Sequence, residues 1–129
     1  MGGSVLLDSN IVIAIMDQEE EVAARLVGAD DLAVSSVVLG ELYFGALKSL
    51  NVEDNLRRLD EFSTNVAVVG CDAVMGWHYA QVKNGLRTKG RPIPDNDIWI
   101  AAQALQHGLT VASRDQHFRE IDGLTVEVW

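Results

Sequence analysis

The chain has one cysteine, two prolines, three histidines, and ten basic residues against nineteen acidic ones across its 129 positions. Each shortage excludes something. A lone Cys71 cannot close an intramolecular disulfide and leaves no thiolate cluster for zinc. That suits a reducing compartment, and a cytoplasmic location is expected. No apolar run approaches the roughly 18 residues that a membrane span needs, so no membrane association is expected. Met1-Gly2-Gly3-Ser4 carries neither a basic leader segment nor a cleavage pattern. Leu6 stands where a myristoylation pattern wants Ser or Thr. Repeats, low-complexity stretches and long linkers are also missing, so a single domain over residues 1–129 is expected.

What is present is an ordinary globular composition, 48% hydrophobic, with a net charge of −9. That charge, taken globally, opposes polyanion partners. Its distribution qualifies this. Glu19-Glu20-Glu21, Asp30-Asp31, Glu53-Asp54 and Asp60-Glu61 read as solvated acidic surface. Lys83, Arg87, Lys89 and Arg91 gather in one segment. With Arg114, they are candidates to hold phosphate groups, although Lys and Arg at a helix end also complement the dipole.

Short apolar runs alternate with amphipathic segments. Strands are expected at 4–8, 32–35, 66–69, 109–112 and 124–128. Helices are expected at 11–16, 19–28, 37–50, 52–62, 73–88 and 95–108, with inward stripes such as Leu56, Leu59 and Phe62, or Val74, Trp77, Val82 and Leu86. Alternation of this kind predicts an α/β layer fold with a mainly parallel sheet of about five strands.

Four carboxylates stand out against this pattern. Asp8 closes the apolar run Val5-Leu6-Leu7 at the carboxyl end of a strand, where open α/β sheets bind ligands. Asp115 follows a second strand. Glu41 shares a helix face with Val37, Val38, Leu42 and Gly45, and Asp97 lines up with Ile100, Ala101 and Ala104. Each has an ordinary alternative: Asp8 as a helix cap, Glu41 at the margin of its stripe, Asp97 as a dipole partner, Asp115 in a turn. Together they predict one acidic crevice. Four carboxylates raise one another's pKa unless a cation offsets them. Mg²⁺ or Mn²⁺, which prefer oxygen ligands, answer that need. His78, His107 and His117 are scattered and read as surface or edge residues. Trp99 reads as core or as a stacking platform. Tyr43, Phe44, Leu47 and Trp77 read as core, as a dimer interface or as a groove for a partner segment.

The assembled pieces are Leu7-Asp8-Ser9-Asn10, Ser35-Ser36-Val37-Val38-Leu39-Gly40-Glu41-Leu42 with Gly45, Gly90-Arg91-Pro92-Ile93-Pro94-Asp95-Asn96-Asp97, and Ser113-Arg114-Asp115 with His117-Phe118. In this order and spacing the chain resembles PIN-domain proteins, and among them the VapC-type toxin ribonucleases, over nearly its whole length. The resemblance implies a three-layer α/β/α sandwich and a Mg²⁺- or Mn²⁺-dependent endoribonuclease. It implies a homodimer paired with a cognate antitoxin protein, and Asp8, Glu41, Asp97 and Asp115 as the acidic, metal-binding site. Ser9 or Asn10 and Ser113 match positions that orient such sites, and Asp95 matches an accessory carboxylate. With Asp8 committed to the site, capping of the first helix falls to Ser9 or Asn10.

Other readings fit less well. A haloacid-dehalogenase-type phosphatase needs a second aspartate where Asn10 stands, and a receiver domain needs a carboxylate within Val66–Gly70. A catalytically silent PIN-like binding module, or another Mg-dependent phosphate-ester hydrolase, is the remaining alternative.

Overall fold

A computed structural model describes residues 4–129; Met1-Gly2-Gly3, on which the leader and lipidation readings partly rest, lies outside the described residues. The elements run β1 (Ser4–Leu7), α1 (Ser9–Met16), α2 (Glu20–Val27), β2 (Asp31–Ser35), α3 (Ser36–Leu47), α4 (Val52–Thr64), β3 (Ala67–Val69), α5 (Ala73–Lys89), α6 (Asp95–His107), β4 (Thr110–Ala112), a 3₁₀ turn (Gln116–Glu120) and β5 (Val126–Glu127).

The five strands form one sheet in the order β3-β2-β1-β4-β5, and every pairing is parallel. The chain winds outward from β1 through β2 to β3, then crosses back to lay β4 and β5 on the other edge. Parallel strands covered on both faces read as unbroken apolar runs. Val5, Leu6 and Leu7 are accordingly all buried. The result is the α/β/α sandwich. Its topological switch lies between β1 and β4, where Leu7 pairs with Ala112 and the Asp8 amide donates to the Ala112 carbonyl at 3.0 Å.

Helix faces follow the expected periods with instructive exceptions. In α3, Val38, Leu39, Leu42 and Ala46 are buried, but the helix ends at Leu47 and leaves Leu50 fully exposed. In α4, Leu59 is buried while Leu56 and Phe62 pack half-buried on the core. In α5 the inward positions are Met75, Val82 and Leu86; Val74 and Trp77 face outward, at 53% and 63% exposure. The sequence stripe began on the wrong phase because the flexible Met75 takes the buried site. Arg58 is half-buried and donates to the Met16 carbonyl at 2.7 Å. Two left-handed glycines set up the site's second half. Gly90 (φ 68°) stops α5 before the loop into α6, and Gly108 (φ 65°) stops α6 before β4.

Candidate metal centre

The carboxyl ends of β1 and β4 lie side by side, so the residues that follow them must meet. Asp8 is 4% exposed and Ser113 is fully buried. The Ser113 hydroxyl donates to Asp8 Oδ2 at 2.7 Å, and its oxygen accepts the Asp115 amide at 2.9 Å. Asn10 reaches across as well: its Nδ2 is 3.5 Å from the Ser113 hydroxyl and its Oδ1 accepts the Arg114 amide at 3.3 Å. Ser113 thus ties Asp8 to Asp115, and Asn10 braces the tie.

Asp8 also caps α1, since its Oδ1 accepts the Ser9 amide at 2.8 Å. This corrects the expectation that Ser9 or Asn10 would take over the capping. Both already lie inside the first turn, because the helix starts directly at the strand's end. One oxygen of Asp8 therefore serves the helix and the other serves Ser113.

Helices α3 and α6 bring the other two carboxylates. A cleft of about 450 Å³ is lined by Asp8, Ser9, Asn10, Glu41, Pro94, Asp95, Asn96, Asp97 and Asp115. Glu41 does not lie within an apolar stripe as its spacing suggested. It is exposed at the cleft's open rim, one step around the helix from buried Leu42. Asp97 is more enclosed, with a side chain 13% exposed.

Partial removal from water, felt even by Glu41 at the rim, is the main reason that Asp8, Glu41 and Asp97 all hold their protons above the ordinary carboxylate range. Hydrogen bonds from Ser113 and the Ser9 amide partly offset this at Asp8, those from Asn96 at Glu41, and those from His117 at Asp97. Their mutual charges add to the rise: Asp115 acts on Asp8, Asp8 and Asp97 on Glu41, Asp8 and Asp115 on Asp97.

His117 is the site residue that sequence reasoning missed. Its Nδ1 is 3.0 Å from Asp97 Oδ2 and 3.0 Å from Asp115 Oδ1. Its backbone amide is also capped by Asp115 Oδ1 at 2.9 Å. The hydrogen bond with Asp97 is the largest of the influences that raise the imidazole's pKa. One signal was available: Phe118 must face the core, and it is fully buried. That fixes the 3₁₀ turn and turns the preceding residue back toward Asp115.

The basic residues do not act as one patch. Lys83 lies at the cleft's edge, 3.3 Å from Asp95 Oδ1, which also accepts the Tyr79 hydroxyl at 2.9 Å. Arg87 donates to Asn84. Lys89 is turned elsewhere, onto the Glu120 carbonyl at 2.7 Å and Asp122 at 2.9 Å. At 3.6 residues per turn, positions 83 and 87 share a face of α5 and position 89 does not. Arg91 is exposed beyond Gly90. Arg114 pairs with Glu19 at 2.9 Å and donates to the Trp129 carbonyl, so its guanidinium is engaged outside the cleft. Trp99 stacks on Tyr79 with ring centroids 3.8 Å apart, which ties α6 to α5. Asp95 lines the cleft, but its carboxylate is engaged on the outer side by Tyr79 and Lys83.

The donor set fits a divalent cation. One ligand atom from each of Asp97, Asp115 and His117 lies within 4.8 Å of the others, Asp8 and Glu41 line the same cleft, and among the described residues no Lys or Arg forms an ion pair with any of the four acids. Oxygen-rich sites of this kind suit Mg²⁺ and Mn²⁺.

A parallel α/β/α sandwich with an acidic cleft at its switch point defines the class: a doubly wound α/β domain with a carboxylate-lined site at the carboxyl ends of its strands. Within it the chain belongs to the PIN domain family, whose model matches residues 5–124. It is 32% identical over 127 residues to Ribonuclease VapC2 of Haemophilus influenzae, with 96% of each chain covered. It is 33% identical over 127 residues to the tRNA(fMet)-specific endonuclease VapC of Shigella flexneri, again with 96% of each covered. Among solved structures, VapBC2 from Rickettsia felis bound to a DNA fragment from their promoter superposes with a TM-score of 0.91 at 27% identity, covering 98% of both chains.

Proposed function

We propose that this chain is a Mg²⁺- or Mn²⁺-dependent endoribonuclease, the toxin of a toxin–antitoxin pair. The observation that carries the reading is the meeting of Asp8, Glu41, Asp97 and Asp115 in one cleft with, among the described residues, no Lys or Arg ion-paired to them. Asp8 and Asp97 are the main ligands. Glu41 and Asp115 complete the set or orient water. When bound, the cation supplies Lewis acidity, which activates water and offsets charge on the phosphoryl group.

The chain's own residues hold this arrangement. Ser113 and Asn10 fix Asp8 and Asp115, and the cap on Ser9 fixes the other Asp8 oxygen. Glu41, exposed at the rim and with a raised pKa, is placed to exchange a proton with incoming water. Hydrolysis breaks one P–O bond and adds water's oxygen to phosphorus; no side chain acts as nucleophile. Lys83, at the cleft's edge, is the best placed of the basic residues to meet a flanking phosphate. The substrate class is RNA with unstacked, looped bases, which an open cleft admits more readily than a regular duplex.

The partner reading has its own support. An apolar groove of about 290 Å³ lies beside the cleft, lined by Ile13, Met16, Leu42, Ala46 and Leu59, and shares Ser9 and Glu41 with it. An antitoxin segment seated there lies against the acidic site. Phe44, Leu47 and Trp77, exposed at 64%, 61% and 63%, are available to a homodimer interface. Among the described residues no helix is long and apolar enough to cross a membrane. A single domain in the cytoplasm is the setting we infer.

The test uses the purified chain, free of any partner, with a panel of RNAs in Mg²⁺, Mn²⁺ and EDTA. Cleavage that depends on the cation and is lost in Asp97→Asn is the expected result. Cleavage that survives EDTA, or persists undiminished in the variant, overturns the reading.

A further inference from the structure

We infer that His117 is a nitrogen ligand of the cation that the cleft holds, and that it tilts the site away from Mg²⁺ toward first-row transition ions such as Mn²⁺. The inference rests on the metal-dependent reading above and names a fifth protein ligand for it.

Three observations carry it. First, the position is built. The ring stands on the 3₁₀ turn between Asp115, which caps the His117 amide, and Phe118, which is fully buried. Ile121, also buried, anchors the turn's far end. The backbone aims the imidazole at the acids, and its side chain stands half-exposed at their edge. Second, the distances fit. Nδ1 is 3.0 Å from one oxygen of each of Asp97 and Asp115, and one ligand atom from each of the three residues falls within 4.8 Å of the others. An ion about 2.1 Å from each of its octahedral ligands sets neighbouring ligand atoms about 3 Å apart, so this spacing is that of adjacent corners. Third, the ring does not duplicate another group. Among the described residues, no other basic side chain forms an ion pair with Asp8, Glu41, Asp97 or Asp115.

The chemistry follows from donor type. Mg²⁺ is a hard ion that favours carboxylate, carbonyl and water oxygen, whereas imidazole nitrogen suits transition ions. An all-carboxylate cleft would discriminate little between Mg²⁺ and Mn²⁺. One nitrogen in the set gives the transition ion the advantage.

The experiment loads the metal-free chain with Mn²⁺, after labelling its histidines with ¹⁵N, and records pulsed electron paramagnetic resonance. Direct ligation is expected as a ¹⁵N coupling to the Mn²⁺ spin in the wild type that is absent in His117→Ala. Calorimetry on the same samples is expected to show His117→Ala weakening Mn²⁺ by about tenfold or more and Mg²⁺ by less. His78 and His107 are internal controls, since a coupling that persists in His117→Ala overturns the assignment. Mn²⁺ that binds, is lost in Asp8→Asn and yet shows no nitrogen coupling overturns the His117 role alone. Mn²⁺ that fails to bind, or binds equally to Asp8→Asn, overturns the metal-dependent reading with it.

Discussion

Asp95 and Asp97 stand two residues apart in the first turn of α6, and the fold treats them in opposite ways. Asp95 faces outward, where the Tyr79 hydroxyl and then Lys83 hold its carboxyl below the ordinary range. Asp97 faces inward, where burial holds its carboxyl above it and only His117 among its partners pulls the other way. The helix dipole favours both equally, so it cannot be what separates them. The difference is the far side of the side chain: donors outside, other acids inside. An acid satisfied by its neighbours has no need of a cation, and one crowded by its neighbours does.

The sharpest way to break this contrast is to remove each charge in turn. Asp97→Asn is expected to lower RNA cleavage by at least about 100-fold, since even outer-shell changes at metal sites cost about 10–100-fold. Asp95→Asn is expected to stay within about threefold, as an exposed pair contributes little. Initial rates on one RNA substrate in Mn²⁺ measure both, and equal losses would erase the distinction.

Ser113→Ala comes next. It removes the donor that holds Asp8 and the acceptor that holds the Asp115 amide. Divalent-cation affinity by calorimetry is expected to fall about 10–100-fold with the fold retained. An unchanged affinity would mean that Asp8 and Asp115 are fixed without it.

The contrast also has a pH signature in the metal-free protein. Asp8, Glu41 and Asp97 hold their protons above the ordinary carboxylate range in the folded state. The folded state binds these protons more tightly than the unfolded one, so their contribution favours folding at low pH and is lost as pH rises through the raised values. Asp72 and Asp95, with lowered values, act in the opposite sense, contributing above 3.8 and losing that contribution as pH falls through their folded values. In EDTA, Asp8→Asn is expected to flatten the decline in melting temperature on the alkaline side of the carboxylate range, because Asn also caps helices well. A variant that melts lower than wild type throughout, with the same slope, contradicts this.

The smallest expected effect concerns Lys83. Lys83→Ala is expected to reduce the salt slope of RNA binding by about one and to weaken binding modestly, as loss of one phosphate contact does. Lys89→Ala, whose amine is engaged by Glu120 and Asp122, is expected to change neither. Identical behaviour of the two variants would remove the distinction drawn between the two faces of α5.

Much of this was legible in the residues. Unbroken apolar runs such as Val5-Leu6-Leu7 predict buried parallel strands, and the carboxylates beyond them predict where a site forms. What escaped depends on three-dimensional phase. Val74 and Trp77 read as inward because their spacing is nearly right, but Met75 takes the buried position. Glu41 shares its spacing with an apolar stripe or stands at its margin, and one helical step from Leu42 puts it at the rim. Lys89 sits six residues from Lys83 in sequence and on another face in space. His117 reads as a surface or edge residue because no helix or strand period reaches it; its orientation is imposed by Phe118 beneath it and Asp115 before it.

The link from Ser113 to Asp8 joins residues 105 positions apart. A ribosome that has synthesised the first hundred residues has already produced Asp8, Glu41 and Asp97, but β4 is not yet there to lie against β1. Contacts this distant form late and slowly, because loop closure precedes any reward from pairing. Catalytic competence therefore belongs to the finished chain and not to the nascent one.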